Sequence, residues 1–244
     1  MRLGDEYYEP LLEILRQHRV GLAVNRHGNA GDQLIQQATI ELFERSGIAW
    51  RLLAQAEIEN CRLGRDITLI AEPGGGNLGA HFRGSPRRRQ LLSGLKLPKV
   101  ILPQTAHDAD EDLAAWDTVF VREHTSYEML RAVHRDVRHL PDMALNYRAK
   151  SAAPAKIAEG VFLRSDWDQT EPGTDPAKAC ATWQEYLRMA AHHGTVITNR
   201  LHFGIAALLQ DRRAVFLPTS YHKMRSVYES WLRRFPLASW MDHP

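Results

Sequence analysis

The chain has 244 residues, of which 44% are hydrophobic and 25% are charged, proportions typical of a globular protein rather than a disordered one. Its 31 basic and 29 acidic side chains nearly cancel, which disfavours a general nucleic-acid-binding protein. No apolar run approaches the ~20 residues needed to span a bilayer, and MRLGDEYYEP lacks the apolar stretch of a signal peptide. We therefore expect a cytoplasmic enzyme or binding protein.

Cysteine and basic clusters give no sign of a metal or nucleic-acid site. The two cysteines, Cys61 and Cys180, are too few for a disulfide framework and do not suggest a metal site. The run Arg87–Arg89 is short and has no interleaved aromatic residues. We interpret this run as a solvated helix face.

Short apolar or β-branched segments alternate with longer amphipathic segments in the first part of the chain. Strands are predicted at 20–25, 48–54, 66–72, 98–102, 117–122 and 137–140. Helices are predicted at 32–46, 86–94 and 123–134, with a loop at PGGGNLG. Strands separated by helices predict parallel pairing in an α/β sheet.

A proline-containing stretch at 149–154, AKSAAP, is the predicted linker between two units, 1–150 and 151–244. In the second unit, strands are predicted at 159–164, 194–198 and 213–217, and helices at 178–193, 200–210 and 222–234. A long loop is predicted at 165–177. With three predicted strands, the second unit is expected to be short.

Two glycine-containing segments lie directly after predicted strands. The segment NRHGNAGD at 25–32 precedes a helix, and its backbone N–H groups and helix dipole favour an anion; alternatively, Asp32 is simply the helix N-cap. The segment Gly74-Gly75-Gly76-Asn77 gives up conformational entropy that an ordinary connection would not require. Because strand ends of open parallel sheets face the ligand crevice, we favour a functional close approach there over an ordinary loop.

Three cationic positions also lie at strand ends. Arg122 ends the strand 117–122, where it either points into the crevice or pairs with a neighbour. Arg200 and His202 open a helix, where an anion would lie within reach of an imidazole that exchanges protons near neutral pH. Lys223 begins the last helix, either as a phosphate contact or as a solvated residue.

These segments occur in an order that resembles the polysaccharide pyruvyl transferases. The motifs are GNAGD, GGGN, FVREHTS, LPD, FLRSD, TNRLHFGIAALL and SYHKM. The resemblance runs from about Asn25 to Lys223 and implies two Rossmann-like α/β units facing across a cleft, a glycosyltransferase-B-like architecture. It also implies transfer of pyruvate from phosphoenolpyruvate onto a sugar of a surface or exopolysaccharide as a pyruvyl ketal, with release of phosphate.

The resemblance assigns roles to the candidate residues. It implies that phosphoenolpyruvate is bound by Arg122, Arg200 and His202, with Lys223 as a further phosphate contact. His202 is the expected general acid, and Asp32 the expected acceptor of a hydroxyl proton. The residues expected to line the cleft are Asn29, Gly31, Gly74, Gly75, Gly76 and Asn77.

The expected partners are phosphoenolpyruvate and a glycan or lipid-linked oligosaccharide, with no nucleic acid, no metal and no cofactor. A homodimer that completes the shorter unit is a further hypothesis, as is a peripheral position at the inner face of the cell membrane. Two other functions stay open. One is a glycosyltransferase that uses a nucleotide sugar, and the other is a non-catalytic member that binds a glycan.

Overall fold

The computed structural model describes residues 2–24, 28–79, 84–150, 153–166 and 174–242. The chain divides into two compact units. The first, here called the N-terminal unit, comprises Gly4–Arg26 and Thr39–Met143. The second, the C-terminal unit, comprises Met1–Leu3, His27–Ala38 and Ala144–Pro244, so it includes a segment from early in the chain.

The elements of the described residues are as follows. The helices are α1 (Glu9–Leu15), α2 (Ala30–Arg45), α3 (Gln55–Glu59), α4 (Gly84–Ser93), α5 (His124–Leu130), α6 (Pro176–Ala179), α7 (Trp183–Ala191), α8 (Leu201–Leu209) and α9 (Lys223–Ser230). Short 3-10 helices lie at Asp5–Tyr8, Met143–Asn146 and Leu232–Arg234. The strands are β1 (Arg19–Leu22), β2 (Ala49–Leu52), β3 (Leu69–Glu72), β4 (Gly75–Leu78), β5 (Lys99–Ala106), β6 (Thr118–Val121), β7 (Val137–His139), β8 (Ile157–Phe162), β9 (His193–Thr198), β10 (Arg213–Phe216) and β11 (Ala238–Trp240).

The N-terminal unit contains a seven-stranded sheet in the order β2-β1-β3-β5-β6-β7, with β4 paired to β5. Every strand pair in it is parallel, which confirms the predicted α/β class. All eight residues of β5 are buried, because a central parallel strand has both faces covered. The core packs Trp116 with apolar residues of β3, β5 and β6.

The C-terminal unit contains a parallel sheet of four strands in the order β11-β10-β9-β8. The prediction of three strands was wrong, because β11 was missed. This strand has only three residues, Ala238–Trp240, and it pairs with β10 so that Phe216 lies opposite Trp240. A three-residue strand is too short to show the alternation by which strands are predicted.

Other elements also differ from the predictions. The predicted loop PGGGNLG contains β4, where Gly75 has a φ of 151°, a value that favours glycine. The predicted helix 178–193 is divided into α6 and α7. The second part begins where Thr182 Oγ1 accepts a hydrogen bond from Glu185 N at 3.3 Å. Residues 167–173 of the predicted loop 165–177, and residues 25–27 of NRHGNAGD, lie outside the described residues.

The interpretation of Arg87–Arg89 as a solvated helix face was wrong for two of its members. Arg88 is partly buried and Arg89 is buried, and both belong to an ion-pair network around the fully buried Glu72. Arg88 Nε lies 3.0 Å from Glu72 Oε2, and Arg89 Nε lies 2.6 Å from Glu111 Oε1. A buried carboxylate needs such partners, and this requirement was not visible from the arginine run alone.

No helix among the described residues is both long and apolar enough to cross a membrane.

Candidate active site

Arg200 and His202 lie where β9 gives way to α8. Arg200 is the N-cap, in an extended conformation, and its backbone N–H donates to Thr198 Oγ1 at 2.9 Å. His202 is the one residue of α8 that is not buried. The N-terminal N–H groups of a helix have no partner within the helix, so an anion is favoured at this end. The structure therefore places both predicted residues at the start of a helix.

A capping box begins α2. Asn29 Oδ1 accepts from Gly31 N at 2.8 Å and from Asp32 N at 3.3 Å. The carboxylate of Asp32 accepts in return from Asn29 N at 3.0 Å. Asn29 is therefore the residue that caps the helix, and Asp32 is its reciprocal partner rather than the N-cap. The box fixes the Asp32 carboxylate at the start of α2.

The starts of α2 and α8 are in direct contact. A Cβ placed on Gly31 would lie 2.9 Å from His202 Nδ1 and 3.0 Å from His202 Cβ. Only a residue without a side chain leaves room for the imidazole there. The structure thus brings together GNAGD and TNRLHF, the two motifs that carry Asp32 and His202.

Two aspartates hold the guanidinium of Arg200. Arg200 Nε lies 2.9 Å from Asp175 Oδ1, and Nη2 lies 2.5 Å from Asp175 Oδ2 and 2.9 Å from Asp166 Oδ2. These bonds use Nε and Nη2, and none of them uses Nη1. Burial by itself would lower the pKa of Arg200, but the two carboxylates outweigh it and raise the pKa. The side chain is therefore a permanent cation.

Arg164 extends this cluster. Arg164 Nε and Nη2 lie 2.9 Å and 3.0 Å from the two oxygens of Asp166, and Arg164 N donates to Asn199 Oδ1 at 2.7 Å. Burial would raise the pKa of Asp166, but hydrogen bonds and charges from Arg164 and Arg200 lower it to about 2. The result is a chain of alternating charges, Arg164, Asp166, Arg200 and Asp175.

An aromatic layer lies beside this cluster. Tyr186 is buried and packs edge-on against Phe203 of α8, with ring centroids 4.9 Å apart. Burial raises the pKa of Tyr186, while the charge of Arg200 opposes the shift. The phenol is therefore neutral, and the ring is part of the apolar support for α8.

Sequence analysis missed four members of this site: Arg164, Asp166, Asp175 and Tyr186. The signal for Arg164 and Asp166 was present, because both belong to FLRSD, directly after the strand β8. Asp175 lay within a predicted loop, and nothing in that loop's composition distinguished one of its aspartates from the others.

Lys223 begins α9 in the C-terminal unit, and its Nζ lies 5.0 Å from the ring centroid of Tyr221. This is a cation–π arrangement. The expected contact of Lys223 with phosphate stays a prediction.

The remaining predicted residues belong to the N-terminal unit. Arg122 is 1% exposed, and its guanidinium donates to Asp142 Oδ2 at 2.6 Å and to Thr105 Oγ1 at 2.8 Å. Its role in binding phosphoenolpyruvate stays a prediction. Within β4, Asn77 N donates to Gln104 Oε1 at 3.1 Å, and Asn77 Oδ1 is buried without a partner among the described residues. The expected place of Gly74–Asn77 in the cleft also stays a prediction.

In the part of the chain that the structure describes, no three or more His, Cys, Asp or Glu side chains are grouped as metal ligands would be.

Comparison with known protein families identifies the family to which this chain is related. The family model for polysaccharide pyruvyl transferase matches residues 29–221, well over half of the chain. The chain belongs to the polysaccharide pyruvyl transferase family. The match begins at Asn29 and includes Arg122, Arg200 and His202. This confirms the resemblance, and membership of this family supports a pyruvyl transferase enzyme in general terms.

Comparison with solved structures supports the fold. The chain is similar to an uncharacterized protein of Klebsiella pneumoniae, with a TM-score of 0.80 and 22% sequence identity over 100% of both chains. At this identity the likeness concerns the fold alone. No curated protein matches the chain.

Proposed function

We propose that this polysaccharide pyruvyl transferase takes pyruvate from phosphoenolpyruvate and joins it to two hydroxyl groups of one sugar. The products are a cyclic pyruvyl ketal and inorganic phosphate. The observation that carries the proposal is the close approach of His202 to Gly31, which places an imidazole between the starts of two helices and two residues from Arg200.

The charges of the site suit this donor. Phosphoenolpyruvate carries a carboxylate and a phosphoryl group, and a guanidinium binds two oxygens of such groups at once. The helix start adds N–H groups and the positive end of the dipole to the charge of Arg200. Arg122 and Lys223 are the further cations that we assign to the donor. The charge of the phosphate can be borne by these residues, so the proposed reaction uses neither a metal nor a cofactor.

His202 acts first, as the general acid. It donates a proton to the methylene carbon of phosphoenolpyruvate, which becomes the methyl group of the product. The adjacent carbon, which carries the phosphate ester and the carboxylate, then has oxocarbenium character. A sugar hydroxyl attacks this carbon and loses its proton to the carboxylate of Asp32.

The second hydroxyl of the same sugar completes the ketal. It attacks the same carbon, the C–O bond to phosphate breaks, and the departing phosphate takes the bonding electron pair. His202, now neutral, passes the proton of this hydroxyl to the departing phosphate, and the proton held by Asp32 returns to His202 through solvent. The sum is one phosphoenolpyruvate and one diol giving one ketal and one phosphate.

The acceptor that we propose is a sugar of a surface polysaccharide, supplied either free or on a lipid carrier at the inner face of the membrane. The test is release of inorganic phosphate from phosphoenolpyruvate in the presence of each acceptor type. We expect release that depends on acceptor and is reduced at least about 100-fold in His202→Gln, within the range for loss of a general acid. Release that is unchanged in His202→Gln would contradict the assigned role.

A further inference from the structure

We propose that Arg164 and Arg200 together form the binding site for the phosphoryl group of the donor, and that Asp166 occupies this site when the donor is absent. This inference rests on the proposed function and deepens it. It assigns a residue, Arg164, that the sequence analysis did not select, and it gives Asp166 the role of a built-in competitor.

The carboxylate of Asp166 is bound by two guanidinium groups. Arg164 contacts both of its oxygens, at 2.9 Å and 3.0 Å, and Arg200 Nη2 lies 2.9 Å from Asp166 Oδ2. Two guanidinium groups converging on one oxyanion is the arrangement that binds phosphate tightly in proteins. The carboxylate of Asp166 therefore stands where an anionic ligand of this site would be held.

The two aspartates beside Arg200 are held differently. Asp175 is 2% exposed, and besides Arg200 it accepts from the backbone of Ser165 at 2.9 Å and of Ala177 at 3.0 Å. Asp166 is 32% exposed, and within the described part of the chain its hydrogen bonds come from Arg164 and Arg200. Asp175 is thus bound to the backbone as well as to Arg200, whereas among the described residues Asp166 is bound by the two arginines to which a ligand would bind.

Arg164 is itself buried. Its side chain is 7% exposed, and its backbone is tied to Asn199, the residue before Arg200. Burying a guanidinium is costly unless it is paired. A doubly charged phosphoryl group would replace the single charge of Asp166 and pair both guanidinium groups, while Asp175 keeps the Nε and Nη2 edge of Arg200 in place.

A purely structural role for Asp166 predicts that its removal does not raise the affinity for the donor. If the carboxylate only neutralises buried arginines, its removal leaves two unbalanced cations and loosens Arg200, so binding of the donor does not improve. If Asp166 competes with the donor, its removal raises the affinity. The sign of the change separates the two roles.

The experiment is calorimetric titration of phosphoenolpyruvate into the wild type, Asp166→Asn and Arg164→Lys. We expect Asp166→Asn to bind phosphoenolpyruvate about tenfold more tightly. The carboxylate that occupies the site in the wild type, and so lowers the apparent affinity, is then absent. Arg164→Lys keeps the charge and loses the two-pronged geometry, and we expect its binding to be at least about tenfold weaker. Circular dichroism verifies that each variant is folded.

The chain offers a matched control for Asp166→Asn. Asp136 is also 32% exposed, and it accepts from Nε and Nη2 of Arg138 at 2.9 Å each. It belongs to the N-terminal unit, as does its partner Arg138. We expect Asp136→Asn to leave the affinity for phosphoenolpyruvate unchanged.

Two simpler anions identify which group of the donor the site takes. Inorganic phosphate should bind Asp166→Asn more tightly than it binds the wild type. Pyruvate should bind the two proteins with equal affinity. A gain for pyruvate alone would overturn the assignment of the phosphoryl group. If phosphoenolpyruvate binds the wild type, and binds Asp166→Asn equally or more weakly, the inference is overturned while the proposed function stands. Absence of binding by all folded variants would overturn both.

Discussion

Gly31 and His202 lie so close together that a Cβ on Gly31 would be 2.9 Å from His202 Nδ1. The contact joins the first turn of α2 to the first turn of α8 within the C-terminal unit. The capping box of Asn29 and Asp32 defines the start of α2, and Arg200 is the N-cap of α8. The position of the proposed general acid therefore depends on a residue that has no chemistry of its own.

The first prediction concerns Gly31→Ala. Within a helix, alanine is favoured over glycine by about 0.5–1 kcal/mol, whereas an added methyl group in a packed site costs about 1–3 kcal/mol. The imidazole of His202 can be displaced more easily than the backbone, so we expect little loss of stability. We expect the rate of phosphate release to fall about 100-fold, as for a misplaced catalytic group.

Gly94→Ala is the control for this substitution. A Cβ there would meet only Leu91 O, at 3.6 Å, which is an ordinary contact. The rate of phosphate release should be unaffected. Equal rates for Gly31→Ala and the wild type would show that the contact with His202 does not position it.

The second prediction concerns Asp175→Asn, which removes the anchoring charge from Arg200. Breaking a buried ion pair costs about 3–5 kcal/mol, and Asp175 and Arg200 are both largely buried. We expect lower stability in chemical denaturation and weaker binding of phosphoenolpyruvate, opposite in sign to the effect of Asp166→Asn. Tighter binding in Asp175→Asn would mean that the two aspartates have the same role.

The third prediction tests the ion-pair network of the N-terminal unit. Arg89→Ala removes the arginine that pairs with Glu111 and leaves the buried Glu72 with Arg88 alone, so we expect a loss of about 3–5 kcal/mol in the free energy of unfolding. Arg87 is exposed, and Arg87→Ala should change the free energy of unfolding by less than about 0.5 kcal/mol. Similar losses in both variants, measured by urea denaturation, would contradict the network.

The fourth prediction concerns stability in acid. The pKa of Asp166 is lowered from 3.8 to about 2, because Arg164 and Arg200 outweigh the effect of burial. A lowered carboxyl pKa stabilises the fold above the unfolded-state pKa, and this stabilisation is lost as the pH falls through the folded-state pKa. We therefore expect thermal stability to fall between about pH 4 and pH 2.

Asp166→Asn isolates the part of this loss that comes from Asp166. Because the side chain is about one-third exposed, the discounted contribution is roughly 1–2 kcal/mol. The variant should lose that much less stability than the wild type over the same pH interval. An equal loss of thermal stability in the two proteins between pH 5 and pH 2 would contradict the lowered pKa of Asp166.

The alternation of apolar strands and amphipathic helices was enough to predict the α/β class and the parallel pairing. The long helix α2 was found because its pattern extends over many residues, whereas for β5 the prediction covered only the part up to residue 102. The strands β4 and β11 were missed for a different reason in each case. β4 consists largely of glycine and asparagine, and β11 has three residues, so neither carries a periodic signal.

The site could be predicted in part because Arg200, His202 and Asp32 follow strands in recognisable motifs. Their mutual arrangement could not, since the contact of Gly31 with His202 joins segments far apart in the chain. The carboxylates around Arg200 were missed because ion pairing depends on tertiary structure, and a local pattern does not reveal it. For the same reason Arg88 and Arg89 were taken for surface residues.

The measurement that tests the central claim most directly is calorimetric titration of phosphoenolpyruvate into the wild type and Arg200→Ala, with a UDP-sugar as the alternative ligand. Arg188→Ala, which removes an exposed arginine of α7, is the control. We predict binding of phosphoenolpyruvate by the wild type and Arg188→Ala, loss of this binding in Arg200→Ala, and no binding of the UDP-sugar. Binding of the UDP-sugar alone, or binding of phosphoenolpyruvate that does not depend on Arg200, would contradict the account.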